Sequence, residues 1–266
     1  MKEEIRKFIK NLGVGDVGFS SVDDYISPNT PKIESFFPSA KSIVVMAYPE
    51  LSTCESPDPL LAMNGRLDKD AVMRADSYRI CSYLQNEWGA KVVSIPKSFP
   101  RGNVSAVSLR HAAIAAGLGC FGSHNLVVHP KFGTRVTFSA VVCDLELESD
   151  KKITEKLCTE CGVCVKNCPA GALDESGKTD IRKCISVSQP YSAMNYFSYL
   201  EQMIDSAPED RKSLKKDLMM YHQANSFITQ YYCFNCMKLC PAGYSVHSSL
   251  YGASSSSIAG KRPMGS

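Results

Sequence analysis

Residues 158–173, CTECGVCVKNCPAGAL, contain four cysteines in the spacing C-x2-C-x2-C-x3-C, and a proline follows the last of them. This is the bacterial ferredoxin pattern, in which the first three thiolates bind one [4Fe–4S] cluster and the fourth binds a second cluster. Three thiolates in a tight loop can wrap one cubane, whereas the fourth lies one helical turn further on and points the opposite way. The pattern therefore predicts two clusters, which need further thiolates from elsewhere in the chain.

Two later segments supply the remaining ligands. Residues 231–244, YYCFNCMKLCPAGY, carry three cysteines in an abbreviated copy of the pattern, and residues 180–187, DIRKCISV, carry a lone cysteine. By pseudo-symmetry between the two runs, the first cluster is predicted on Cys158, Cys161, Cys164 and Cys240. The second cluster is predicted on Cys168, Cys184, Cys233 and Cys236.

A pair of structural zinc sites is the alternative, because C-x2-C pairs also form zinc ribbons. A triple C-x2-C-x2-C closed by Cys-Pro, present once in full and once in short form, is not a ribbon pattern and favours iron and sulfide. The other four cysteines are scattered along the chain, and we predict that they are small buried apolar residues: Cys54, Cys81, Cys120 and Cys143.

Composition sets further bounds. The 266 residues are 44% apolar and carry a formal net charge of +3, which is ordinary for a globular protein and no argument for a nucleic-acid surface. No apolar run approaches the roughly 18 residues that cross a bilayer. Residues 1–13, MKEEIRKFIKNLG, predict an amphipathic helix rather than an export signal. We expect a cytoplasmic protein without a membrane partner, in which twelve cysteines serve metal binding rather than disulfides.

Secondary-structure patterns divide the chain into three parts. Residues 1–150 predict an α/β domain, with strands over 42–48, 90–96, 125–130 and 134–147 and helices over 70–88 and 106–116. Residues 151–250 form the predicted double-cluster domain, which contains a helical stretch over 191–228. Residues 251–266 are rich in Ser and Gly and predict a flexible tail.

The loop GLGCFG at 117–122 fits G-x-G-x-x-G. A dinucleotide site requires a strand before this motif and a helix after it. Here a predicted helix precedes and a predicted strand follows, so nicotinamide or flavin binding through this loop is excluded. The glycines are open to two interpretations, close approach of the backbone to a flat ligand or a tight helix-to-strand turn.

The segment AAGLGCFGSHNLVVHPKFGTRVTFSAVVCDLELE at 115–148, followed by the cysteine runs and IRKCIS, resembles epoxyqueuosine reductase. It resembles the catalytic core of corrinoid reductive dehalogenases more distantly, and FFPSAKSIVVMAYP at 36–49 is similar to an early strand of the same fold. The resemblance implies a nitroreductase-like, corrinoid-binding type of α/β domain followed by a ferredoxin-like double [4Fe–4S] domain. It further implies that the clusters pass electrons to cobalamin, with Gly119, Gly122 and His124 as cofactor-binding residues.

The sequence also departs from this family. An aspartate general acid precedes the glycine loop in epoxyqueuosine reductases, and Asn103, which cannot act as an acid, stands at or near that position. The catalytic residue is therefore unknown, although His111 and His124 flank the loop and could move a proton near neutral pH. The helical-repeat extension that many of these enzymes use beside tRNA has no counterpart in the 266 residues. We accordingly expect tRNA to be an unlikely partner.

Two functions follow from these observations. The leading interpretation is an iron–sulfur oxidoreductase that takes electrons from an unidentified donor and delivers them to a corrinoid or to a bound small-molecule substrate. The alternative is an electron-transfer protein that reduces an acceptor protein and performs no small-molecule chemistry of its own.

Overall fold

The computed structural model describes residues 1–97, 105–174, 176–227 and 231–242. Its centre is a four-stranded antiparallel sheet in the order β1-β2-β6-β3. The strands of this sheet are β1 (Asp16–Ser21), β2 (Ser42–Pro49), β3 (Val92–Ile95) and β6 (Val136–Cys143). A separate two-stranded hairpin pairs β4 (Cys120–Phe121) with β5 (Val127–Val128).

Eight helices accompany the strands in the described ranges, and together they confirm the mixed α/β fold. They are α1 (Lys2–Asn11), α2 (Pro59–Trp88), α3 (Leu109–Ala115), α4 (Val163–Lys166), α5 (Ile181–Ser188), α6 (Ala193–Asp205), α7 (Arg211–Phe227) and α8 (Asn235–Lys238). Within the described residues, no helix is long and apolar enough to cross a membrane.

The sheet is buried on both faces, which explains why its central strands are almost continuously apolar. Along β2, Ile43 and Val45 point to the layer formed by α3 and the glycine loop, whereas Val44 and Met46 point to α1 and α2. The neighbouring strand β6 contributes to both layers in the same alternating way. This arrangement fixes the glycine loop on one face of a rigid sheet.

Several elements differ from their predicted bounds. The helix predicted over 70–88 is the second part of α2, which begins at Pro59 because the Asp58 carboxylate accepts the Leu60 N–H at 2.8 Å. The helical stretch predicted over 191–228 is two helices, since the segment that contains Pro208 separates α6 from α7. Strand β1 was not predicted, and the strand predicted over 134–147 is shorter.

The polar stretch near residue 150 is packed against the sheet. The Asp150 carboxylate accepts hydrogen bonds from Arg6 at 2.8 Å and from the Phe19 N–H at 3.0 Å, and it pairs with Lys2 at 2.8 Å. A domain boundary at this residue stays a prediction. Asn103 and the tail predicted over 251–266 lie outside the described residues.

Candidate metal centre

Three cysteines of the first run line a cavity. Gly162 precedes the short helix α4, which places Cys164 inside the helix and Cys168 just beyond its end. The cavity is partly open to solvent. The cysteines that line it are Cys158, Cys161, Cys164 and Cys240.

The other four thiols also lie close to one another. Burial raises the pKa of Cys236 to about 12, and the next largest contributions come from neighbouring thiols. Burial likewise raises the pKa of Cys233, with smaller contributions from two of the same thiols. The thiols that act on Cys236 are those of Cys233, Cys184, Cys168 and Cys164, in decreasing order. The four residues predicted for the second cluster are thus near one another, and Cys164 of the first set is also near Cys236.

The residues of the first set fit the ligand requirement of an iron–sulfur cluster. A cubane of four irons and four sulfides requires four thiolates. Cys158, Cys161, Cys164 and Cys240 line one cavity and would supply them. The assignment of individual ligands stays a prediction.

Hydrogen-bond donors already face several of these sulfurs. The Ala172 N–H donates to Cys168 Sγ at 3.2 Å, and the Ser123 and Ser188 hydroxyls lie 3.6 Å and 3.8 Å from the sulfurs of Cys158 and Cys184. Although burial alone would raise the pKa of Cys158, hydrogen bonds from Ser123 and Glu160 lower it below its ordinary value. Such donors stabilise a bound thiolate and tune the potential of a cluster.

A buried arginine holds the second cysteine run against the sheet. The Arg135 guanidinium donates to the carbonyl oxygens of Lys238 at 2.6 Å and Cys240 at 3.2 Å, and it forms an ion pair with Glu55. Beside it, the Thr134 hydroxyl donates to the Met237 carbonyl oxygen at 2.8 Å. These contacts fix the backbone that presents Cys240 to the first cavity.

Arg66 on α2 holds the start of the second cysteine run in the same way. Its guanidinium donates to the carbonyl oxygens of Tyr231 and Cys54, and it lies 3.1 Å from the centroid of the Phe234 ring. Sequence reasoning missed Arg66 and Arg135. Their signal was weak, because an isolated arginine in a helix or at the start of a strand is most often exposed.

The glycine loop forms the tight turn into the β4–β5 hairpin. A Cβ atom on Gly119 would lie 2.4 Å from the Val128 carbonyl oxygen, and one on Gly122 would lie 2.6 Å from Cε1 of His124. The chain itself thus fills the space on the Cβ side of both glycines. The predicted role of Gly119 and Gly122 in cofactor binding stays untested, but packing alone accounts for both residues.

The two candidate histidines have different surroundings. His111 Nδ1 lies 2.8 Å from the Ser108 hydroxyl, and burial together with the Arg110 charge lowers its pKa. His124 is buried and lines the cavity of the first cysteine run. Burial lowers the His124 pKa to about 4, so this ring is neutral at neutral pH. His124 is therefore brought to the thiols, whereas His111 is not among the residues that line that cavity.

The unassigned cysteines meet the prediction of burial in part. Cys54 and Cys143 are buried, and Cys81 and Cys120 are partly buried. Cys120 Sγ accepts a hydrogen bond from the Leu157 N–H at 3.4 Å, which ties the glycine loop to the segment that precedes the first ligand.

Comparison with known proteins supports an iron–sulfur reductase. A family model described as 4Fe-4S binding domain matches residues 151–174. Curated relatives include the epoxyqueuosine reductase of Listeria monocytogenes, 23% identical over 91% of this chain and 64% of its own length. The Bacillus subtilis epoxyqueuosine reductase is 25% identical over 70% of this chain and 55% of its own length. The chain thus spans less than two thirds of the length of these relatives.

Solved structures share the fold. An epoxyqueuosine reductase in complex with an epoxyqueuosine-modified tRNA stem loop aligns with a TM-score of 0.58 at 20% identity, over 91% of this chain and 65% of that chain. A reductive dehalogenase associated with B12-dependent dehalogenation aligns with a TM-score of 0.50 at 19% identity, over 87% of this chain and 38% of that chain.

The tRNA complex corrects one expectation from the sequence. The sequence led us to expect that tRNA is an unlikely partner. That expectation is wrong, because the curated relatives are epoxyqueuosine reductases, and one such enzyme that shares the fold of this chain was solved with an epoxyqueuosine-modified tRNA stem loop. By sequence over most of its length this chain resembles the epoxyqueuosine reductases, and by fold it resembles both these enzymes and the reductive dehalogenases.

Proposed function

We propose that this protein is an iron–sulfur oxidoreductase similar to epoxyqueuosine reductase. Two [4Fe–4S] clusters would receive single electrons from an external donor and supply them to a reducible substrate. The first would be held by Cys158, Cys161, Cys164 and Cys240. The second would be held by Cys168, Cys184, Cys233 and Cys236.

One observation carries the proposal, the cavity that is lined by cysteines from two distant segments. Cys240 lines the cavity of Cys158, Cys161 and Cys164 although many residues separate it from them. The thiols of Cys184 and Cys168 also lie near enough to contribute to the raised pKa of the partly buried Cys233. Packing of apolar residues alone gives no reason to gather eight thiols in this way, whereas two adjacent cubanes need them.

The protein groups around the sulfurs support redox use of the clusters. When bound, the clusters supply one-electron chemistry at potentials that hydrogen bonding and exposure set. Ser123, Ala172 and Ser188 hold donors near three ligand sulfurs. Arg135 and Arg66 hold the backbone of the second cysteine run through hydrogen bonds to the carbonyl oxygens of Lys238 and Tyr231.

Cobalamin and a bound substrate are the two candidate electron acceptors within this protein. Cobalamin is a candidate because of the fold shared with a dehalogenase described by B12-dependent chemistry. Within the described part of the glycine loop, however, the space beside Gly119 and Gly122 is filled by the chain itself.

The substrate to test first is an epoxyqueuosine-modified tRNA, because a relative binds its stem loop. The second candidate function is electron transfer to an acceptor protein, and the asparagine at position 103 favours it because this residue cannot act as a general acid.

Anaerobic purification and reconstitution test the proposal. We expect a brown protein with about eight irons and eight sulfides per chain. Incubation with dithionite and modified tRNA, with and without added cobalamin, then separates the acceptors by turnover. Stoichiometric zinc in a colourless protein would refute the cluster assignment. A stable complex with an acceptor protein, without turnover of tRNA, would favour the electron-transfer function.

A further inference from the structure

His124 presents a hydrogen-bond donor that has no protein partner. Its Nδ1 accepts the Leu126 N–H at 3.1 Å, which places the ring proton on Nε2. This Nε2 is buried and finds no hydrogen-bond partner among the described residues. The side chain is only 4% exposed. A buried donor without a partner loses its hydration and gains nothing in return, so native proteins rarely keep one.

The surroundings of the ring indicate where its partner belongs. His124 lines the cavity that Cys158, Cys161, Cys164 and Cys240 enclose. Its neighbour Ser123 already holds a hydroxyl 3.6 Å from Cys158 Sγ. The ring that carries the unpartnered Nε2 thus lies in the wall of the cavity that the first cluster would occupy.

Gly122 keeps the ring in this orientation. A Cβ atom on Gly122 would lie 2.6 Å from Cε1 and 2.9 Å from Nε2 of His124. The imidazole therefore rests directly on the backbone of the glycine loop, with Nδ1 tied to the Leu126 N–H. Gly122, the third glycine of the loop, thus leaves room for the His124 ring, which lines the same cavity as the thiols.

We infer that the His124 Nε2–H donates a hydrogen bond to a sulfur of the cluster on the first cysteine set and raises the reduction potential of that cluster. The inference rests on the proposed function, because it requires the cluster. A donor stabilises the reduced cluster more than the oxidised one, since reduction adds negative charge that the sulfurs share. His124 is a positioning residue in this role and takes no part in bond making.

Redox titration monitored by EPR tests the inference. We expect His124→Leu to lower the midpoint potential of the first cluster, by a tenfold change in its equilibrium constant or about 59 mV for one electron. His124→Gln keeps an N–H donor and should restore part of the shift. The second cluster serves as an internal reference, and His111→Leu is the matched control outside the cavity, with no shift expected for either.

A second measurement uses the unmutated protein. With 15N-labelled histidine, pulsed EPR of the reduced protein should detect coupling between a histidine nitrogen and the first cluster, and this coupling decides the matter if the leucine variant fails to assemble. Loaded protein with no such coupling, or a leucine variant whose potential is unchanged, would overturn the inference and leave the proposed function intact. Protein that binds no iron or sulfide would instead refute the proposed function itself.

Discussion

Cys158 differs from three other predicted ligands in the direction in which its surroundings shift the pKa of the thiol. Hydrogen bonds from Ser123 and Glu160 outweigh burial and lower its pKa, whereas burial raises the pKa of Cys164, Cys233 and Cys236. Metals bind thiolates, so each raised pKa adds a cost that iron must offset. We therefore expect Cys158 to be deprotonated more readily than these thiols when iron first binds.

The ligand assignment can be tested at Cys184, which stands apart from both cysteine runs. We expect Cys184→Ser to lower the iron content from about eight to about four per chain, because only the second cluster uses this thiol. Iron and sulfide analysis of anaerobically reconstituted protein measures the change. Cys81→Ser is the control, since Cys81 lies on α2 and belongs to neither set; full iron content in Cys184→Ser would exclude Cys184 as a ligand.

At the scale of elements, the cluster segments are held by side chains from the α/β layers. Arg135 precedes β6 and reaches the backbone around α8, and Asp150 connects α1 and β1 to the segment that leads to the first cysteine. Both contacts are long-range, so the cluster region and the sheet depend on each other for stability.

Replacing Arg135 should weaken the attachment of the second cysteine run to the sheet. We expect Arg135→Met to lower the free energy of unfolding by about 3–5 kcal/mol, because Glu55 loses its partner in a largely buried site. Iron held through Cys240 should also be lost faster to a chelator. Chemical unfolding and bleaching rates measure the two effects. Lys41→Met removes an exposed pair with Glu146 and should change stability by less than about 1 kcal/mol; equal effects of the two variants would contradict this role.

The Asp150 contacts predict a pH dependence. Although burial would raise its pKa, hydrogen bonds from Lys2, Arg6 and the Phe19 N–H hold the pKa below the ordinary value. A folded-state pKa below the unfolded one contributes stability that is present above the unfolded value and is lost as the pH falls through the folded value. We expect Asp150→Asn to cost about 1.5–3 kcal/mol near pH 7 and progressively less below pH 4. Urea unfolding across this range measures the difference, and a cost independent of pH would argue against an ionic contribution.

The sequence predicted some elements well because their residues act locally. Strand β2 is confirmed because its apolar run is buried on both faces. Strand β1 was missed because its sequence, DVGFSS, contains Gly18, which is there for close packing: a Cβ atom would lie 2.2 Å from the Ala116 carbonyl oxygen. The cysteine spacing predicted the ligand sets. The hydrogen bonds of Arg66 and Arg135 to the second cysteine run could not be predicted, because they join segments that are distant in the sequence. No local pattern encodes such contacts.

At the scale of the whole molecule, the two thiol sets are adjacent. Cys164 of the first set is among the thiols that act on Cys236 of the second. If both clusters are bound as proposed, electrons would pass between neighbouring centres, and the molecule would act as a two-electron store filled one electron at a time.

Adjacent clusters should interact magnetically. In fully reduced protein we expect an EPR spectrum that is broadened or split by coupling between the two paramagnetic centres. The Cys184→Ser variant, with one cluster left, should give a simple signal of a single centre. If the unmutated protein with about eight irons gives the sum of two independent signals, the clusters are not neighbours.

The wide spacing of the ligands along the chain has a consequence for biogenesis. Both sets need cysteines that follow α7, so neither centre can be completed on the ribosome until the segment around α8 has emerged. By then the sheet and the Arg135 side chain that receives this segment have already been synthesised. If the clusters form as proposed, their assembly would follow the synthesis of α8, and a nascent chain interrupted between α6 and α7 would carry thiols open to oxidation.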